Sequence, residues 1–146
     1  MGQLQNVKVA KVTYAETIPS SGKKIKITPF RVGDEKVLLE ASMSEDSSHI
    51  ADAVKNVIAN CMEGADISEL APFDLDYLFL RLRTKSVGET ADIGVKCAKC
   101  ENFNEIKVNL DSVEIVKNPA HTFSIKIDDN LAFEMKYLDS QDANVV

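Results

Sequence analysis

Phe73-Asp74-Leu75-Asp76-Tyr77-Leu78-Phe79-Leu80-Arg81-Leu82-Arg83 is the stretch on which the reading of this chain turns. Leu75, Leu78, Phe79 and Leu82 recur at three- and four-residue steps. They therefore share one face of an α-helix that starts near Asp74 and ends before Gly88. Tyr77 and Leu80 add a second face, so the helix is apolar over more than the ~100° stripe of a helix packed on one side. Two readings follow. Either the helix is central and covered on two sides by its own domain, or Tyr77 and Leu80 dock on a partner protein, because exposed apolar patches mark interfaces. Arg81, Arg83 and Lys85 crowd the last turns, where cations suit the negative end of the helix dipole. Asp74 and Asp76 fall on different sides of the helix, so they do not form a carboxylate pair.

Upstream, the helical period extends back to about residue 33. Gly33-Asp34 can cap a short helix burying Val37, Leu38 and Ala41. A longer helix over about 45–62 carries Ile50, Ala53, Val54, Val57, Ile58 and Cys61 on one stripe. Glu45 and Asp46 occupy its first turn, and Gly64 stands where a C-terminal cap belongs. Before the helices, Val7, Val9, Val12 and Tyr14 keep an apolar rhythm broken near Ala10-Lys11, which predicts a bulged strand. Pro19-Ser20-Ser21-Gly22 then turns the chain into Lys24-Ile25-Lys26-Ile27, a strict alternation. A β-hairpin over 7–28 results.

Downstream, the period changes from 3.6 to 2. Ala91, Ile93, Val95 and Cys97 alternate with polar residues and glycine, and so do Ile106, Val108 and Leu110. Val113-Glu114-Ile115 extends or follows that strand. After Asn118-Pro119, a second hairpin joins Phe123, Ile125 and Ile127 through Asp128-Asp129-Asn130 to Leu131, Phe133, Met135 and Tyr137. The segment from Asp139 to Val146 has neither a helix stop nor a finished strand. The expectation is a single α+β domain over 1–146. It has an N-terminal hairpin (7–28), a three-helix segment (33–87) and a C-terminal antiparallel β zone (90–138).

Composition narrows the function classes. No run approaches the ~18 apolar residues of a membrane span. Met1 to Asn6 lacks the basic and apolar regions of a secretory signal, and Asn6 breaks the myristoylation pattern that Gly2 would open. The formal net charge is −6, and the lysines are dispersed between apolar residues, as at Lys24, Lys26, Lys107 and Lys126. That distribution suits solvated strand faces rather than a phosphate-binding patch. Three cysteines are too few for a disulfide scaffold, and the odd count fits a reducing compartment.

Cys97-Ala98-Lys99-Cys100 is the one candidate for metal or redox chemistry. Two thiolates at this spacing, in a tight turn between strands, form the knuckle that holds Zn2+ in ribbon proteins. A ribbon needs a second ligand pair about 15 to 20 residues on. At that distance stands Asn118-Pro119-Ala120-His121, where only His121 is an ordinary zinc ligand. Cys97, Cys100 and His121 thus make a three-ligand candidate whose fourth position is open or filled by another chain. The alternative is a knuckle without metal, kept as a β-turn. Redox chemistry ranks below both, because a thioredoxin-type pair opens a helix, whereas this one leads into a strand. Cys61, on its helix stripe, is expected to be a buried small hydrophobe.

For an enzyme the signals are missing. The sequence contains no Gly-x-x-x-x-Gly-Lys-Ser/Thr, no Gly-x-Gly-x-x-Gly and no Gly-x-Ser-x-Gly. His49 lies beside a charged helix start and is expected to be solvated. The acidic residues fall in turns and helix starts, as at Asp128 and Asp129, where capping and solubility account for them. The expectation is no enzymatic activity and no assigned catalytic or cofactor-binding residue.

Three strings carry a family resemblance: Ile27-Thr28-Pro29-Phe30-Arg31-Val32-Gly33-Asp34-Glu35-Lys36, the stretch Phe73 to Arg83, and Ser86-Val87-Gly88-Glu89 leading to Cys97-Ala98-Lys99-Cys100. With the element order, they resemble the baseplate hub assembly proteins of T-even-type myoviruses, over about residues 7–137. The resemblance implies a viral structural or assembly protein that binds other hub proteins, in the host cytoplasm during assembly or in the virion tail baseplate. It implies neither catalysis nor a nucleic-acid substrate; no membrane partner is expected, and homo-oligomerisation and whether the protein stays or acts as a chaperone and leaves are left open. Family members generally run longer, with a helical part after the last strand, so such a part is expected to be missing here. The competing reading is a zinc-ribbon-like adaptor that binds nucleic acid or protein.

Overall fold

In the computed structural model, residues 11–44 and 46–139 are described. The expectations for Val7, Val9, Ala10, Glu45 and the tail from Ser140 to Val146 lie outside the described residues. The chain is α+β, with three helices and antiparallel strand pairs throughout. The elements are β1 (Tyr14–Thr17), β2 (Lys24–Ile27), α1 (Val32–Ser42), α2 (Ser47–Cys61), β3 (Met62–Glu63), a 3-10 turn (Ile67–Glu69) and α3 (Pro72–Ser86). There follow β4 (Thr90–Lys96), β5 (Phe103–Asn109), β6 (Ser124–Lys126) and β7 (Ala132–Glu134).

β1 and β2 form the expected hairpin, Tyr14 opposite Ile27 and Thr17 opposite Lys24. A strand not anticipated from the sequence joins it: β3 adds to the other edge of β2, with Ile27 opposite Met62. β2 is therefore central, and its strict alternation becomes burial on one face. Ile25 is 3% exposed and Ile27 fully buried, while Lys24 and Lys26 are exposed. These isoleucines, with Ile18, meet Val57, Ile58 and Cys61 of α2 and Leu75, Leu78 and Leu82 of α3 in one core. At roughly 25 cal/mol per Å2 of apolar surface, each such side chain contributes ~2 kcal/mol by leaving water.

Helix α2 begins where Asp46 caps it, accepting hydrogen bonds from the Ser48 N–H (2.9 Å) and the Ser48 hydroxyl (2.7 Å). Ala53, Val57, Ile58 and Cys61 of its stripe are buried as expected, but Ile50, on the first turn, is exposed. Gly64 does not cap this helix. Met62 is already extended and enters β3 directly, so Gly64 (φ 111°) turns the chain after that strand. Helix α1 starts at Val32, with Arg31 as N-cap and its N–H bonded to the Asp34 carboxylate (2.9 Å). Ala41 is buried and Leu38 packs against the core, but Val37 is exposed. The contact that α1 makes with α2 covers only part of the face the periodicity suggested.

Helix α3 starts two residues earlier than Asp74, with Pro72 in its first turn, a position where its missing N–H costs nothing. Asp74 is fully buried, and its carboxylate accepts from the Ala71 N–H (3.1 Å) and the Ser20 N–H (2.9 Å). One side chain thus closes the helix start and ties the β1–β2 loop to it. Asp76 faces outward, as the helical spacing requires.

The β zone differs in kind. β4 and β5 form one two-stranded sheet, in register from Thr90 opposite Asn109 to Lys96 opposite Phe103. β6 and β7 form another, with Ile125 opposite Phe133. Val113-Glu114-Ile115 adds to neither. The first ribbon is anchored at its base. Leu110 is buried and its N–H donates to the Glu89 carbonyl (2.7 Å). Arg81 of α3 binds both Glu16 of β1 (3.1 Å) and Asp111 (2.9 Å), and Lys85 reaches the same Asp111 oxygen at 3.4 Å. The basic residues at the end of α3 thus cross-link core and ribbon, beyond any service to the helix dipole.

Candidate docking surfaces and the cysteine knuckle

Paired residues of an antiparallel ladder point to the same face. In β4–β5 this places Ala91 with Val108 and Ile93 with Ile106 on one apolar face. Its outer part is open, with Ile93 and Val95 45% and 44% exposed, while Ala91 and Val108 nearer the base are half-buried. On the opposite face the Phe103 ring lies directly over Gly94, in the space a Cβ would occupy, so Gly94 admits the aromatic ring. In β6–β7 the residues Phe123, Ile125, Ile127, Leu131, Phe133 and Met135 share one face, each 40 to 59% exposed. The alternation expected from the sequence is present in both ribbons, but the burial it suggested is not.

Tyr77 and Leu80, the candidate interaction residues of α3, are both half-buried. Tyr77 packs against the core cluster, which Leu80 does not join. Burial works against the Arg81 charge, but the hydrogen bond and charge of Glu16, with Tyr77 and Asp111, outweigh it and raise the guanidinium pKa. Asp111 is held below the usual carboxylate range, first by its hydrogen bond to Lys85 and by that charge, then by Arg81.

The cysteine pair sits at the tip of β4–β5. The Cys97 N–H donates to the Asn102 carbonyl and the Glu101 N–H to the Cys97 carbonyl, both at 2.9 Å. Glu101 adopts φ 58°, the left-handed conformation that lets the chain reverse after the second cysteine. The backbone N–H groups of Cys100 and Lys99, and then the Cys100 thiol, stabilise the Cys97 thiolate and lower its pKa. Both thiols are free; Cys100 is exposed and Cys97 half-buried. Cys61 is buried as expected, and burial pushes its thiol pKa up.

The expected set of Cys97, Cys100 and His121 is not assembled. No three His, Cys, Asp or Glu side chains converge as a metal-binding group among the described residues. His121 instead stacks on Tyr137 (centroids 5.5 Å, 15° between planes) and meets the Phe123 ring edge-on at 4.8 Å. Phe73, at the start of α3, joins through Tyr137 at 4.9 Å. The physical reason is topological. A zinc ribbon brings its two knuckles together, and here the hairpins are separate sheets, so the Asn118-Pro119 turn does not oppose the cysteine turn. The aromatic cluster borders a cleft of about 410 Å3 also lined by Pro19 and Ile115. Sequence reasoning missed this cluster because no local period links Phe73 of α3 to His121, Phe123 and Tyr137 at the last hairpin. His49 is exposed, near the Ser44 hydroxyl at 3.4 Å.

No helix among the described residues is long and apolar enough to cross a membrane. No curated protein and no solved structure matches the chain. One family model does, described as T4 bacteriophage base plate protein, and it matches residues 9–145. The resemblance carried by the Phe73–Arg83 stretch and the knuckle therefore extends over nearly the whole chain, which belongs to the T4 bacteriophage base plate protein family.

Proposed function

We propose that this chain is a non-enzymatic structural or assembly protein of the phage baseplate that binds other tail proteins as the central hub forms. The observation that carries the reading is the exposed apolar face of β6–β7 beyond the aromatic cluster, from Ile125 and Phe133 to Ile127 and Leu131. A two-stranded sheet is marginal in water unless packing on one face supports it. The occupant is a neighbouring hub protein presenting an apolar surface or an extended strand, since the outer edges of β6 and β7 have no strand partner among the described residues. Family membership supports the baseplate setting. The dispersed lysines and net charge of −6 argue against a nucleic-acid adaptor, whose affinity would come from neutralising phosphates.

The test is complementation of phage lacking this protein with Ile125→Ser plus Phe133→Ser. Assembled baseplates are counted by electron microscopy and monomer stability is followed by urea unfolding. Assembly should fall at least about tenfold while stability changes by less than about 1 kcal/mol. Normal assembly would remove the face from consideration. The same assay with Tyr77→Ala plus Leu80→Ala asks whether α3 contributes a second contact. Equal loss of stability and assembly would assign those residues to the core. Mass spectrometry of purified virions separates a permanent subunit from a factor that leaves.

A further inference from the structure

The knuckle has the parts of a metal site but only half the donors. Its two thiols belong to one turn, Glu101 takes the left-handed conformation behind the second of them, and ladder hydrogen bonds hold the turn closed. Structural Zn2+ takes four such donors in a tetrahedron. Alternation along β4 puts Cys97 on the same face as Ala91, Ile93 and Val95, because Cys97 continues the ladder through Asn102. The chelate and the uncovered apolar face therefore look in one direction.

We propose that Cys97 and Cys100 form half of a four-thiolate Zn2+ site completed by the same knuckle of a second copy of this chain. A two-fold axis through the metal sets like residues against like. The partner that supplies the two missing thiolates then approaches the face bearing Ile93 and Ile106 and covers it. Binding displaces four thiol protons to solvent and leaves a centre of charge −2, with no change of oxidation state. Lys99, inside each turn, offsets part of that charge in a chain that is otherwise acidic; Lys96, on the other face, is already paired with Glu101 (3.3 Å). The inference is independent of hub binding, which uses β6–β7, so either can fail without the other.

The experiment uses the full chain with added ZnCl2 or with EDTA, read by elemental analysis and by light scattering coupled to size exclusion. The expected result is one zinc per two chains and a doubling of mass that EDTA reverses. Co2+ in place of zinc should show the intense thiolate-to-metal absorption of a tetrahedral four-sulfur site. Cys97→Ser or Cys100→Ser should remove the metal and the dimer with an unchanged far-ultraviolet circular dichroism spectrum. Ile93→Ser, which keeps every thiol, should weaken the zinc dimer about tenfold. Zinc below a tenth of an equivalent, or one zinc per chain on a protein that stays monomeric, would overturn the proposal.

Discussion

β2 and β4 carry the same kind of pattern and meet different fates. In Lys24-Ile25-Lys26-Ile27 both isoleucines are buried; in Ala91-Asp92-Ile93-Gly94-Val95 the two large apolar residues, Ile93 and Val95, remain nearly half exposed. β2 lies between two strands and is backed by α2 and α3, whereas among the described residues β4 pairs with β5 alone and contributes no residue to the core. Alternation therefore states which face of a strand seeks cover, not who provides it. Where the domain provides it, the face is core; where it does not, the face is available to another chain.

The largest expected effect breaks the covered side of this comparison. Leu78→Ala, at a fully buried position between sheet and helices, should lower stability by about 3 kcal/mol. Ile93→Ala in the isolated monomer should cost less than about 1 kcal/mol. Equilibrium urea unfolding of both variants decides the matter. Equal losses would mean that the ribbon face is already packed.

Next comes the polar tie within the compact part. Asp74→Ala leaves the buried Ala71 N–H and the half-buried Ser20 N–H without their acceptor. Stability should fall by about 2 kcal/mol, more than for any single apolar residue of β6–β7. Thermal unfolding of Asp74→Ala beside Ile125→Ser makes the comparison. A loss under about 0.5 kcal/mol at Asp74 would show that the β1–β2 loop and α3 hold together without it.

The smallest effect lies at the junction of the two regions. The Asp111 pKa is lowered on folding, so its stabilising contribution is present above the unfolded value of about 3.9 and is lost as pH falls through the lower folded value. Once pH drops below that lowered value the ribbon base should loosen from Arg81 and Lys85. Hydrogen exchange of the Leu110 amide, which donates to Glu89, should rise there relative to amides of α3. Asp111→Asn should show the faster exchange already at neutral pH; unchanged exchange would assign the anchoring to Leu110 alone.

Much of the fold was legible because its signals are local. The three-residue and four-residue steps of α2 and α3, the turn at Pro19 to Gly22 and the Asp128-Asp129-Asn130 reversal each act within a few residues of chain. β3 was not legible, since two residues carry no period, and it forms because Ile27 offers Met62 an open ladder edge. The exposure of Val37 and Ile50 was hidden for a related reason. A helix stripe shows which residues can be buried, while the reach of the neighbouring element decides which are. The cysteine turn was legible from its spacing, but its separation from His121 depended on two hairpins that do not share a sheet.

The sequence by itself determined the α+β class, the places where the period changes, the family and the thiol pair, because backbone geometry and turn chemistry are written residue by residue. Only the tertiary structure decided that β2 is enclosed, that His121 belongs with Phe73, Phe123 and Tyr137, and that Ile93 and Ile106 of β4–β5 and Ile125 and Phe133 of β6–β7 stay exposed. Burial is a relation between segments distant in the chain, and no local pattern contains it.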